Sequence, residues 1–335
     1  MKPAAVVTMR TVAAALQVAT STVSKALRDD PTISAERRRE IQRTAKVMGY
    51  QPNPLVATLM AQLHARRRRN DPNHIAWIDL WPSEEEAARL PLLKPLLRGA
   101  QRRAAELGYG IEVHRVIREG IPVHRLRQIL IARSQWGLII PPVPEGAMHY
   151  PLDLQGLTAV TVGTSLHHPP MNRVAPHLFQ GGQLACARLW AKGFRRIGLV
   201  LGPLISERVE GQWLGAYLAA QRKWPRAGRL PPLLAGPGEP GRFRRWFRRW
   251  RPDAIVLAED HVEAWAAEAA RSARLRPATA WLLLEARRRN QQGVDYRGER
   301  IGAAAVEMVV GQIHRNERGS PELPNTLLMD GVWRE

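Results

Sequence analysis

Residue types typical of secreted proteins, membrane proteins and metalloproteins are scarce in this sequence. It has a single cysteine, Cys186, so it cannot form an internal disulfide and offers no cluster of cysteine ligands for a metal. No stretch approaches the roughly 18 apolar residues of a membrane span, and the first residues lack the apolar core of a signal peptide. These absences predict a cytoplasmic chain in which Cys186 is a small buried side chain.

Signatures of common enzymes are also missing. We find no glycine loop that would cradle a phosphate, no HExxH, no GxSxG and no Cys/His spacing of a zinc site. The pair His167-His168 lies beside two prolines, which is typical of a surface loop, and the acidic run at 84–86 is typical of a solvated helix start. We therefore expect no catalysis, no cofactor and no bound metal.

Acidic residues are few compared with basic ones. The chain has 50 Lys and Arg against 30 Asp and Glu, a formal net charge of +20. This favours an anionic polymer as partner, although charge alone does not separate nucleic acid from acidic lipid. Residues 1–70 hold thirteen of the basic and four of the acidic residues, so close to half of the excess lies on a fifth of the chain.

The N-terminal 50 residues show the periodicity of three short helices. The first is predicted over 8–16, with Thr8 as its N-cap and Val12 and Leu16 facing inward. The second, over 20–28, has apolar Val23 and Leu27 on one face and, on the opposite face, Ser21, Lys25 and Arg28. A third is predicted over 35–48, capped by Ser34 and ended by Gly49. One face of the second helix can pack while the other enters a groove.

Several short motifs of this stretch keep a fixed order and spacing: Val12-Ala13, Thr22-Val23-Ser24, Ile33-Ser34 and Gly49-Tyr50-Gln51-Pro52-Asn53. They resemble the helix-turn-helix head of the lactose-repressor (LacI/GalR) family of bacterial transcription regulators. The resemblance implies a homodimer that binds a double-stranded DNA operator. It assigns base reading in the major groove to Thr20, Ser21 and Lys25. It assigns phosphate contacts to Thr8, Thr22, Ser24 and Arg28.

Two positions of the head depart from the family pattern. Gln17 stands where the family has a glycine in a left-handed conformation, which costs about 1 kcal/mol for another residue. Ala19 replaces the usual serine before the second helix, which removes a cap. We expect both changes to lower the affinity of the head for DNA.

A hinge and a basic linker are predicted over residues 53–73. By resemblance, Asn53, Val56 and Leu59 belong to a hinge helix, and Leu59 wedges into the minor groove at the centre of the operator. Four arginines follow at 66–69. They fit either a solvated tether or a salt-dependent contact with phosphates beside the hinge.

Residues 74–335 alternate between strand and helix patterns, which implies parallel sheets covered by helices on both faces. Strands are predicted at 75–80, 111–116, 137–140, 159–162, 197–201, 254–257 and 280–284. Helices are predicted at 92–107, 123–134, 183–191, 209–221 and 262–273. Two such wound halves resemble the periplasmic-binding-protein-like effector domain of the same family. The predicted fold class is therefore α/β: an all-α head over 1–52, the hinge, and a two-lobed sensor domain.

An effector cleft is expected where the strands of the two lobes end, because ligands of such folds bind there. This predicts cleft positions at Trp81, Ser83, Thr164, Arg208, Glu259, Asp260 and Glu285. A plainer interpretation is that these are strand-end polar groups satisfied by backbone or water. By resemblance the ligand is a small molecule such as a sugar, but Glu259 replaces the Asn of sugar-binding members and His177 replaces an Asp.

Aromatic and basic residues interleave in one further segment. Phe243, Trp246, Phe247 and Trp250 recur at helical spacing with arginines between them. Core packing of the aromatic stripe is the favoured interpretation, and a nucleic-acid contact is the alternative.

These patterns together predict a dimeric, sequence-specific transcription regulator, a repressor, that lies on the nucleoid and responds to a small molecule in the cleft. One alternative is a DNA-bound scaffold whose cleft is degenerate and binds no effector. Another keeps the sensor but reverses its effect, with the ligand acting as corepressor.

Overall fold

The computed structural model describes residues 9–27, 33–48, 50, 73–273, 275–284 and 290–335. The chain forms two compact units, one of residues 1–72 with 314–316 and one of residues 73–313 with 317–335. Of the predicted hinge and linker, residues 53–72 lie outside the described residues, and Asn73 belongs to the first strand of the second unit. Among the described residues, no helix is both long and apolar enough to cross a membrane.

The head contains the three predicted helices: α1 (Met9–Ala15), α2 (Thr20–Leu27) and α3 (Ala35–Val47). Val12, Val23 and Ile41, one from each helix, are fully buried against one another. Ser34 caps α3 as predicted, because its hydroxyl accepts a hydrogen bond from the Arg37 amide at 3.4 Å. Gly49, predicted to end α3, lies outside the described residues.

The turn between α1 and α2 requires a left-handed residue. Gln17 adopts φ 54°, which confirms the conformation predicted for this position. The amide of Val18 donates to the carbonyl of Ala13 at 3.0 Å. Two side chains of α3 hold the ends of the other helices: Arg37 donates to the carbonyl of Leu16 at 3.3 Å, and Gln42 to that of Ala26 at 3.0 Å.

The second unit contains two six-stranded sheets, and each forms the centre of a lobe. The first lobe has strand order β11-β5-β4-β3-β1-β2, and all neighbouring strands are parallel. Its strands are β1 (Asn73–Asp79), β2 (Tyr109–Arg115), β3 (Gly137–Ile140), β4 (Thr158–Val162), β5 (Asn172–Pro176) and β11 (Thr326–Met329).

The second lobe repeats this arrangement with order β12-β10-β9-β8-β6-β7, in which only β12 is antiparallel to its neighbour. Its strands are β6 (Ile197–Leu201), β7 (Leu233–Leu234), β8 (Ala254–Leu257), β9 (Ala278–Trp281), β10 (Gln292–Asp295) and β12 (Val332–Arg334). In both lobes the first strand lies between the second and the third, so the sheets are doubly wound. This confirms the predicted two wound halves.

The helices of this unit connect and cover the strands. They are α4 (Glu84–Ala88), α5 (Leu93–Glu106), α6 (Val123–Ala132), α7 (Leu178–Ala191), α8 (Pro203–Arg208), α9 (Gln212–Gln221), α10 (Pro240–Trp250), α11 (Asp260–Ala273) and α12 (Gly298–Arg315). Single 3-10 turns lie at Glu145–Ala147 and Arg226–Gly228. The lobes are connected by three chain segments: between β5 and α7, between β10 and α12, and between β11 and β12.

Some sequence predictions for this unit were wrong. The helix predicted over 209–221 begins only at Gln212 as α9, because Glu210 and Gly211 both have positive φ, 52° and 65°. The short helix α8 before that turn was not predicted. Strand β5 was missed, because Asn172, Arg173 and Pro176 interrupt its apolar pattern. Arg173 lies half-buried there and donates to the carbonyls of Gly163 and, at 2.7 Å, Leu166.

Two predictions about buried side chains are confirmed. Cys186 is 1% exposed. In α10, Phe243, Trp246 and Phe247 are buried, and Trp250 packs against the same cluster, so the aromatic stripe belongs to the core of the second lobe.

Candidate functional site

The first candidate site is the outer face of α2. Thr20 and Lys25 are exposed and Thr22 is half-buried, whereas Val23 and Ala26 on the other face are completely buried. Ser21 and Ser24 lie on the same helix. The helix therefore presents hydroxyl and ammonium groups to solvent while its apolar side holds it on the head, which is the arrangement needed to reach into a nucleic-acid groove.

Six predicted site residues lie outside the described residues. They are the phosphate-contact candidates Thr8 and Arg28, the hinge candidates Asn53, Val56 and Leu59, and the cleft candidate Glu285.

The second candidate site lies where the two doubly wound sheets have their switch points. In the first lobe, the indole Nε1 of Trp81, after β1, donates to the carbonyl of Pro142, after β3, at 2.8 Å. In the second lobe, the amide of Gly202, after β6, donates to the Glu259 carboxylate, after β8, at 2.5 Å. At each switch point the connections after two neighbouring strands run in opposite directions and leave a crevice between them. Ligands of open α/β sheets bind in that crevice.

A cavity of about 410 Å³ connects the two switch points. Residues of both lobes line it: Trp81, Glu86, Arg89, Leu90, Pro144, Glu145 and Met148 from the first, and Leu204, Ile205, Glu207, Arg208 and Glu259 from the second. Its size is within the range of small-molecule sites, and half of its lining residues are apolar and half are charged. The structure thus brings together three predicted residues: Trp81, Arg208 and Glu259.

Arg208, at the end of α8, is the most constrained charge of the cavity. Its guanidinium carbon lies 5.6 Å from the centre of the Trp81 ring in the opposite lobe. Its Nη2 is buried and has no hydrogen-bond partner among the described residues. Burial lowers the pKa of Arg208, and the negative charge of Glu145 opposes that shift. A buried guanidinium with a free donor is a group that a ligand oxygen would satisfy.

The remaining predicted cleft residues make local contacts. Thr164 joins the lobes, because its hydroxyl donates to the carbonyl of Arg208 at 2.9 Å. Ser83 accepts from the Glu86 amide at 3.1 Å and so caps α4. Asp260 is the exposed first residue of α11. Neither Ser83 nor Asp260 is among the residues that line the cavity.

His177 precedes α7. Its Nδ1 lies 2.7 Å from a carboxylate oxygen of Asp330. This contact joins two of the three segments that connect the lobes.

Most of the residues that line the cavity were not predicted from the sequence. Glu86, Arg89 and Leu90 belong to α4 and the turn after it, and Glu145 and Met148 to the 3-10 turn after β3. Leu204, Ile205 and Glu207 lie on α8. The sequence offered one usable signal, the Gly202-Pro203 pair, since a proline at the first helical position indicates that a helix begins directly after β6.

Comparison with known proteins identifies the head. Residues 8–53 match the sequence model of the bacterial regulatory proteins of the lacI family. None of the curated proteins matches the chain.

Solved structures match the whole fold. A complex of the transcriptional regulator CelR with cellobiose has a TM-score of 0.54 at 19% identity, covering 98% of each chain. The lac repressor dimer bound to operator and the anti-inducer ONPF has a TM-score of 0.53 at 18% identity, again with 98% of each chain covered. A LacI family regulator from Enterococcus faecium with bound ribose has a TM-score of 0.54 at 14% identity, covering 78% of this chain and 97% of that one. At these identities the likeness shows a shared fold.

Proposed function

We propose that this chain, whose residues 8–53 match the lacI family of bacterial regulatory proteins, is a sequence-specific DNA-binding transcription regulator that acts as a repressor. The observation that carries the proposal is α2, whose exposed Thr20 and Lys25 lie opposite a buried apolar face. Two heads of a homodimer would read the half-sites of a near-palindrome, because a two-fold protein matches a two-fold site. The protein would act in the cytoplasm, on the nucleoid.

The proposal gives each polar residue of the head a role. Lys25 would donate to guanine O6 and N7, and Thr20 and Ser21 would read neighbouring bases. Thr8, Thr22, Ser24 and Arg28 would hold phosphates and so set the position of α2 in the groove. Asn53, Val56 and Leu59 of the hinge would contact the minor groove between the half-sites.

The first test is selection of bound DNA from a random duplex library by the full-length protein. We expect a near-palindrome with a flexible pyrimidine-purine step at its centre, where a wedge is inserted most easily. Binding without symmetry or sequence preference would contradict the proposal.

Lys25→Ala tests the assignment of the reader. Removing a bidentate interaction costs about 1–3 kcal/mol of discrimination, so we expect relaxed specificity at one position of each half-site. The measurement is the same selection repeated with the variant. Lys46→Ala, in the exposed last turn of α3, is the control of equal charge. An unaltered base preference in Lys25→Ala would refute the role of Lys25.

For the cleft, we propose a small polyhydroxylated effector such as a sugar. Carboxylates of Glu86, Glu145 and Glu207 can accept from hydroxyl groups, and the free donor of Arg208 can bond to a hydroxyl oxygen. Such a ligand would contact both lobes at once. It would thereby shift their relative geometry and, through the hinge, the operator affinity.

Arg208→Met tests the effector site. It keeps much of the side-chain volume and removes the buried charge. With a panel of sugars that includes cellobiose and ribose, we expect one that raises the Tm of the wild type, since saturation at 100 times Kd stabilises by about 2.7 kcal/mol. That increase should disappear in Arg208→Met and persist in Arg125→Met, which changes an exposed arginine outside the cavity.

The degenerate-cleft alternative has an observation in its favour. The polar groups of Trp81, Thr164 and Glu259 already bond to backbone groups. If no sugar of the panel changed the Tm while the operator was still bound, the effector proposal would be wrong and this alternative correct.

A further inference from the structure

The net charge of the protein is concentrated in two stretches of similar strength. Residues 1–70 hold thirteen basic and four acidic residues, and residues 222–251 hold ten basic residues and one acid, Glu239. Each stretch has a net charge of +9, so the two together account for 18 of the 20 net positive charges. The first contains the head and linker, whereas the second lies on the second lobe.

Helix α10 divides its residues between the core and the surface. Phe243 lies 5.6 Å from Trp265, measured between ring centres, and the indole of Trp246 donates to the carbonyl of Pro231 at 2.8 Å. These contacts fix the aromatic face inside the lobe. The exposed face is then made of arginines alone: Arg242, Arg244, Arg245, Arg248 and Arg249.

Most of these arginines have no acidic partner among the described residues. Arg242 pairs with Glu239 at 2.7 Å and Arg244 with Glu268 at 3.3 Å. Within the described part of the chain, no carboxylate pairs with Arg245, Arg248 or Arg249, nor with Arg251 just after the helix. Like charges so close together are unfavourable in the free protein, and an anion would relieve that repulsion.

The cationic surface extends beyond the helix. The Arg196 guanidinium donates to the carbonyls of Trp250, Arg251 and Ala227, at 3.2 Å to each of the last two. Arg196 therefore holds the turn at Arg226–Gly228, which carries the exposed Arg226, against the end of α10. We call Arg226, Arg245, Arg248, Arg249 and Arg251 the α10 surface.

The chemistry of this surface favours a phosphate backbone over a membrane. A membrane-binding helix inserts its apolar face into lipid, but the apolar face of α10 is occupied by the core. None of the large hydrophobic side chains of residues 222–251 is exposed. The five cations are all arginines, whose guanidinium groups can bind phosphate oxygens in pairs. At about 1.5 Å per residue, the helix could face about five phosphates of one strand.

We propose that the α10 surface is a second, sequence-independent binding surface for the backbone of double-stranded DNA. The inference rests on the proposed function, since a DNA-binding regulator meets this polyanion wherever it acts. The surface would keep the protein on DNA outside its operator and raise the affinity for long DNA in a salt-dependent manner.

The test compares two triple variants of the full-length protein. Arg245→Gln/Arg248→Gln/Arg249→Gln removes three charges from the α10 surface. Lys94→Gln/Arg125→Gln/Arg300→Gln removes three exposed charges elsewhere, so the change in net charge is the same. The measurement is the affinity for a random-sequence duplex at several salt concentrations, together with the affinity for the selected operator.

Removing one arginine–phosphate interaction lowers the slope of log K against log salt by about 0.9. We expect the slope to fall by roughly 2 to 3 in the α10 triple, with at least about a tenfold weaker affinity at low salt, and little change in the control triple. Equal slopes in the two triples would overturn the inference. A wild type that selects no operator would instead contradict the proposed function.

One further variant and one further probe separate the remaining explanations. Basic residues near a helix C-terminus also stabilise the helix, so we include Arg245→Lys/Arg248→Lys/Arg249→Lys, which keeps the charge. It should keep most of the wild-type slope, and a slope as low as that of the glutamine triple would overturn the inference. The inference would also be overturned if the glutamine triple lost its binding to vesicles of anionic phospholipid but kept its binding to DNA.

Discussion

Gln17 adopts an unfavourable backbone conformation in the turn between α1 and α2. With φ 54° it occupies a region where a side chain costs about 1 kcal/mol or more. Its side chain is exposed, so packing offsets little of that cost. Strain here should lower the stability of the head without changing its fold.

We therefore expect Gln17→Gly to raise the free energy of unfolding of the head by roughly 0.5 to 1 kcal/mol, since the relief of native strain is partly offset by the more flexible unfolded chain. Gln17→Ala is the matched control, because it removes the side chain but keeps the Cβ that causes the strain. Urea unfolding followed by circular dichroism gives both values. Equal stability of the two variants would show that the strain is absent.

Among the elements of the second unit, α5 and α12 approach each other very closely. A Cβ on Gly99 would lie 1.9 Å from the carbonyl oxygen of Glu299, and one on Gly302 would lie 2.0 Å from that of Leu96. Both clashes are with backbone atoms, which cannot rotate away. The two glycines therefore allow the helices to pack directly on each other, while Arg98 and Arg102 pair with Glu299 beside the contact, at 3.2 and 2.8 Å.

Gly99→Ala should accordingly destabilise the chain by about 1–3 kcal/mol, as overpacking of a dense interior does. Gly215→Ala is a control within another helix, α9, where the added Cβ would meet only the Phe179 ring at 3.9 Å. There we expect a gain of about 0.5–1 kcal/mol from helix propensity. The measurement is the urea midpoint of unfolding of both variants. An unchanged midpoint in Gly99→Ala would contradict the close approach of the two helices.

At the scale of the whole molecule, one buried thiol and two buried phenol groups make the stability depend on pH in the alkaline range. Burial raises the pKa of the Cys186 thiol from 9.0 to about 12, and it also raises the pKa of the Tyr217 and Tyr296 hydroxyls. The folded chain therefore keeps protons that the unfolded chain loses. Stability from these groups is complete below about pH 9 and falls as the pH rises towards 12.

We expect the free energy of unfolding to decrease between pH 9 and pH 11, by up to about 1.4 kcal/mol per pH unit for each of these groups. The measurement is the urea midpoint as a function of pH. In Cys186→Ala one of the groups is gone, so the decrease should begin at a higher pH and be shallower. A pH dependence identical to that of the wild type would refute the assignment to the thiol.

The sequence predicted much of the head and of the α/β pattern because both depend on local spacing. The cap at Ser34, the left-handed Gln17 and the buried Val12 and Val23 follow from contacts within a few residues or one helical face. The strands at 137–140, 197–201 and 254–257 were predicted with their observed ends, since they are short, apolar and bounded by turns. Strand β5 was not predicted, because Arg173, which interrupts its apolar pattern, is satisfied by the backbone carbonyls of Gly163 and Leu166. The turn at Gly211 was missed as well, although its hydrogen bond is local, from the Gly211 amide to the carbonyl of Ser206.

By itself, the sequence determined the organisation of this protein: a basic helical head, two wound halves and a chain whose positive charge is concentrated in two places. Only the tertiary structure decided which side chains meet. Arg208 lies over Trp81, 127 positions earlier in the chain, and Arg196 joins the carbonyls of Ala227 and Arg251. The physical reason is how far apart in sequence the interacting residues lie. Helical and strand periodicity is set by neighbours in sequence, whereas a cavity or a charged surface is set by how separate sheets and helices pack.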